Sequence, residues 1–67
     1  MITIKAVTAR NSTIEWNYDY PQQGATRLWK ELTDTGRAPD TGETLIRAYY
    51  FGAKCKPGEG PSKAWMS

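Results

Sequence analysis

Hydrophobic and polar side chains alternate through the first part of the chain. Ile2-Thr3-Ile4-Lys5-Ala6-Val7-Thr8 is rich in β-branched residues and puts Ile2, Ile4 and Ala6 on one face. From Ser12 to Tyr20 the alternation is nearly unbroken. Ile14, Trp16, Tyr18 and Tyr20 point one way; Thr13, Glu15, Asn17 and Asp19 point the other. Ala9-Arg10-Asn11 lies between the two runs, and Asn tolerates the left-handed backbone of a tight turn. The pattern predicts a β-hairpin over residues 2–20, ended by Pro21.

The period then changes. Ala25, Leu28, Trp29 and Leu32 recur at helical spacing, with Arg27, Lys30 and Glu31 on the opposite face. Gly36 supplies a C-terminal stop, so a helix is predicted over about residues 23–34. Arg37 to Gly42 reads as a loop carrying Pro39 and Asp40.

Residues 43–51 admit two readings. Tyr and Phe content and short length between Gly42 and Gly52 argue a strand. Asp40-Thr41-Gly42-Glu43 could instead cap a helix with Leu45, Ala48 and Tyr49 along one side. The strand reading gives an α+β fold: a small two-layer β-β-α-β domain over residues 1–52. Residues 53–67, which hold Pro57, Gly58, Gly60 and Pro61, are then expected to form an irregular tail, with Trp65 available to pin it back. The alternative is a hairpin followed by a helix-turn-helix over residues 24–51.

Composition restricts the chemistry. The chain has 67 residues, one Cys and no His. A lone Cys55 cannot form an internal disulfide, and a structural zinc site lacks ligands. With neither staple, stability must come from the three Trp, four Tyr and one Phe, each able to bury roughly 150–250 Å², or from self-association. A homodimer is an expectation of that kind. A single thiol, no secretory signal and no run of ~20 apolar residues predict a cytoplasmic protein without a membrane span. Met1 reads as a true start, and the chain is expected to be a complete small product of the phage or plasmid accessory type.

Four local motifs invite a catalytic or ligand-binding reading, and each fails on its context. Asp34-Thr35-Gly36 and Asp40-Thr41-Gly42 resemble the paired triplets of aspartic proteases, but the first ends a helix pattern rather than a buried strand. Turn chemistry accounts for both. Carboxylates at 34, 40 and 43 do not have calcium-loop spacing. Gly58-Glu59-Gly60-Pro61-Ser62-Lys63 has no helix to follow it, as a phosphate loop requires. Cys55, between Lys54 and Lys56, has ammonium neighbours that favour a thiolate but no base to work with. The sequence therefore predicts a non-catalytic protein with no cofactor, no metal and no small-molecule substrate.

Charge distribution supplies the remaining signal. The net charge is only +2. Residues 44–67, however, carry Arg47, Lys54, Lys56 and Lys63 against Glu59 alone, while residues 1–43 hold five basic and six acidic side chains. The basic segment also holds Tyr49, Tyr50, Phe51 and Trp65. Rings stack on bases and cations neutralise phosphates. A nucleic-acid site is therefore expected at Arg47, Tyr50, Lys54, Lys56, Lys63 and Trp65. The alternative partner is a larger protein, inhibited or modulated through the aromatic hairpin face of Trp16, Tyr18 and Tyr20.

Overall fold

A computed structural model describes residues 1–19, 23–56 and 58–67, and the backbone alone at Gln23. Five elements follow one another: β1 (Ile2–Thr8), β2 (Thr13–Tyr18), α1 (Gln23–Thr35), β3 (Leu45–Phe51) and β4 (Lys63–Met66). The fold is α+β. Its four strands form one sheet in the order β2-β1-β3-β4, with every neighbouring pair antiparallel.

The β1–β2 hairpin forms where the alternation places it. Asn11 takes the positive φ of 66° that the turn requires. Its N–H donates to the Thr8 carbonyl, and the Thr8 N–H donates to the Ser12 carbonyl, both at 2.8 Å. Thr8 is buried, and its hydroxyl oxygen accepts from the Ser12 N–H at 3.1 Å. Burying a hydroxyl is tolerated because the turn satisfies it.

β1 is paired on both sides, so its inward residues Ile2, Ile4, Ala6 and Thr8 are all buried. α1 lies over that face and adds Ala25, Leu28 and Leu32 to the core. Ile14, Trp16, Tyr18, Trp29, Tyr50 and Trp65 pack half-buried around it. The helix ends where Gly36 adopts a φ of 69° and its N–H reaches the Leu32 carbonyl at 2.8 Å.

The loop that follows is tightly tied. Arg37 bridges to Thr44, the Leu45 N–H donates to the Gly36 carbonyl, and the Ala9 N–H donates to the Thr44 carbonyl. An Arg10–Glu43 ion pair joins the same loop to the hairpin turn. These contacts account for the two Asp-Thr-Gly triplets. Gly36 and Gly42 both have positive φ, and Asp40 Oδ1 accepts from the Thr41 N–H at 2.9 Å.

Two sequence expectations change. Residues 45–51 are a strand, which removes the helix-turn-helix alternative. Residues 63–66 are not irregular tail but a fourth strand, with Trp65 opposite Ala48 and Lys63 opposite Tyr50. The Ser62 N–H donates to the Tyr50 carbonyl at 2.7 Å and starts this pairing. A four-residue strand is too short to show a period of its own, and the Pro and Gly before it belong to the β3–β4 connection.

The β1–β3 register slips between Val7 and Thr8. Plain alternation from Ala48 and Tyr50 would turn Ile46 inward. The bulge instead buries Leu45 and leaves Ile46 40% exposed. No helix of the described residues is long and apolar enough to cross a membrane.

Candidate nucleic-acid interface

Only one face of the sheet carries the helix. The side chains that alternate with the core residues stand on the other face. On β1 these are Thr3, Lys5 and Val7; on β2 Thr13, Glu15 and Asn17; on β3 Arg47, Tyr49 and Phe51. Register sets them in rows across the strands. Glu15, Lys5, Tyr49 and Ala64 form one row. Asn17, Thr3 and Phe51 form a second, and Thr13, Val7, Arg47 and Met66 a third.

Tyr49 and Phe51 are half-buried and two residues apart on an interior strand, roughly 7 Å along it. Lys5 and Arg47 are exposed beside them. The Lys5 ammonium lies 5.6 Å from the Phe51 ring centroid and 3.7 Å from Glu15 Oε1. The Asn17 amide donates to Glu15 Oε2 at 3.2 Å, and the Thr3 hydroxyl donates to Asn17 Oδ1 at 2.9 Å. A cleft of ≈ 370 Å³ opens at this end of the face, lined by Thr3, Lys5, Glu15, Asn17, Phe51 and Lys56 among others.

The six residues expected from sequence divide between two faces. Arg47 stands on the open face, and Lys56 lines the cleft. Lys54 is exposed in the β3–β4 connection. Tyr50, Lys63 and Trp65 lie on the helix side. Tyr50 meets the Trp29 ring edge-on, the Lys63 ammonium sits 5.3 Å from the Tyr50 ring, and Trp65 packs on the core. Two of the rings assigned to recognition therefore support the fold.

Tyr49, Phe51 and Lys5 take their place on the open face. The two rings share the i, i+2 spacing of Arg47, a visible signal once the strand is certain. Lys5 gives no such signal, because it lies far from the basic segment and reaches the rings only through strand pairing.

Of the hairpin set, Trp16 and Tyr18 pack against the core, and Tyr20 lies outside the described residues. Cys55 is partly buried, with its Sγ 2.9 Å from Ser62 Oγ. Among the described residues, no group of three or more His, Cys, Asp or Glu is placed to hold a metal ion. What the open face can do chemically is stack planar groups and hold anions.

Comparison with protein-family models, with curated proteins and with solved structures gives no match.

Proposed function

We propose that this is a non-catalytic accessory protein that binds single-stranded nucleic acid on the open face of its sheet. One observation carries the reading: Tyr49 and Phe51 stand side by side on an uncovered face, flanked by Lys5, Arg47 and Lys56. Stacking a base on an aromatic ring is worth roughly 1–3 kcal/mol, and every base has a π-face to offer. The cations track the phosphates between stacked bases. A double helix hides its base faces, so a single strand is the form this surface fits.

The competing reading is a protein-binding modulator acting through Trp16, Tyr18 and Tyr20. It has less to stand on, because Trp16 and Tyr18 are engaged with the core.

Fluorescence anisotropy with a labelled ten-nucleotide strand tests the proposal. Binding should weaken as salt rises, with a slope of log K against log salt near −2 for three phosphate contacts, at about −0.7 each. The Tyr49→Ala/Phe51→Ala double variant should lose at least tenfold in affinity while remaining folded. Absence of binding at low salt rules the proposal out.

A further inference from the structure

β2 is the outermost strand on one side of the sheet. The alternation of ladder bonds decides which of its backbone groups stand at the open edge. The Thr8 N–H donates to the Ser12 carbonyl, so Ile14, Trp16 and Tyr18 of β2 bond back to β1. The N–H and C=O groups of Thr13, Glu15 and Asn17 then point away from the sheet. Among the described residues, no turn or loop backbone hydrogen bond reaches them.

Edges of this kind are ordinarily blunted by Lys, Pro, a bulge or short length. β2 has none of these. It runs six residues, Thr13–Tyr18, holds no Lys or Pro, and keeps an unshifted register with β1. β4, at the other side of the sheet, is four residues long and begins at Lys63. On the helix side of β2, Ile14, Trp16 and Tyr18 are only half-buried.

We propose that the β2 edge pairs antiparallel with the β2 edge of a second copy of this chain, joining two sheets into one across a two-fold axis. The inference is independent of the nucleic-acid reading.

The sequence of β2 sets the register of that seam. Residues opposite each other across an antiparallel pair stand on the same face, so the axis passes between two copies of one residue. With the axis at Glu15, the two Glu15 carboxylates oppose each other. With the axis at Asn17, Glu15 meets the partner's Asp19. Like charges directly opposite are destabilising. An axis at Ile14 leaves only Thr13–Glu15 of each strand in overlap. The axis at Trp16 has none of these faults. It sets Glu15 opposite the partner's Asn17, Thr13 opposite the partner's Asp19 and Ile14 opposite the partner's Tyr18. Trp16 meets its own copy in a non-hydrogen-bonded pair, where side chains come closest, and aromatic pairs at such positions are stabilising. A two-fold pair of this kind closes on itself. Growth of the joined sheet stops at the short, lysine-bearing β4 edges. Both helices lie on one face of it and both open faces on the other.

Sedimentation equilibrium and amide hydrogen exchange on the full chain test the proposal. The chain should reach twice its own mass as concentration rises. In the dimer, the Glu15 and Asn17 amides should exchange as slowly as that of Trp16. On dilution to monomer they should exchange fast, while Trp16 stays protected by β1. Asn17→Lys sets an ammonium opposite the partner's Glu15 and should tighten the dimer about threefold or more, because the two-fold axis repeats each pair. Asn17→Glu should loosen it by about as much. Asn17 is exposed, and protection of the Trp16 amide in the dilute variants reports that the monomer remains folded. A chain that stays monomeric at every concentration overturns the proposal. A dimer whose Glu15 and Asn17 amides exchange freely, or one that both Asn17 variants shift in the same direction, places the seam elsewhere and overturns it too.

Discussion

The Trp29 ring meets the Tyr50 ring edge to face, with centroids 5.7 Å apart and planes at 69°. The contact lies on the side of β3 that faces the helix, where the register with β1 sets Tyr50 opposite Ile4. The two-residue period of the strand then places Tyr49 and Phe51 on the uncovered side. Adjacent tyrosines in the sequence thus have unlike duties.

Truncating them should separate those duties. Tyr50→Ala should lower stability by about 2–3 kcal/mol, through lost burial and the lost aromatic pair. Tyr49→Ala should cost less than about 1 kcal/mol and weaken strand binding instead. Urea denaturation midpoints, read beside anisotropy on the same two variants, check this. Equal destabilisation by both would contradict the division of faces.

β4 makes the last residues part of the sheet. Trp65→Ala should therefore destabilise by about 2–3 kcal/mol, and deletion of residues 62–67 should prevent cooperative unfolding. Thermal melts followed by circular dichroism suffice. A deletion variant that melts like the full chain would restore the tail reading.

Gly36 holds a φ of 69°, and a Cβ there would meet Trp65 Cη2 at 3.7 Å, an ordinary contact. The cost of Gly36→Ala is thus backbone strain rather than crowding, about 1–2 kcal/mol. At roughly 4–8 °C per kcal/mol for a domain of this size, the melting temperature should drop by about 5–15 °C. Gly36→Asn should lose less, because Asn accepts the left-handed region more readily. An Asn variant that melts no higher than the Ala variant would point to a packing cause.

Arg47 is exposed on the open face and pairs across to Met66. Arg47→Ala should leave stability within about 0.5 kcal/mol. It should weaken binding to all strands alike and make the salt slope shallower by about 0.7. A sequence-dependent loss, or an unchanged slope, would place Arg47 outside the phosphate track.

The hairpin and the helix were legible because their periods run long enough to be read: Ile14 to Tyr18 at two, Ala25 to Leu32 near 3.6. The face assignment of β3 was not. The bulge beside Leu45 resets the alternation, so whether Tyr49 or Tyr50 faces outward depends on a register that no local pattern records. β4 escaped notice because Lys63–Met66 is four residues long and follows a stretch of Pro and Gly. Lys5 escaped for a different reason. Its neighbours on the open face, Tyr49 and Glu15, arrive from two other strands, and pairing across a sheet is invisible to composition.

The position of β1 in the sheet also bears on how the protein is made. β1 precedes the other strands of this sheet in the chain and pairs on its far side with β3, Thr3 opposite Phe51. A two-stranded hairpin alone is marginal in water, so β1 keeps one edge unpaired until β3 has been synthesised. A chain that lacks β3 therefore presents the unpaired N–H and C=O groups of β1 as an open edge, a site for pairing with another chain.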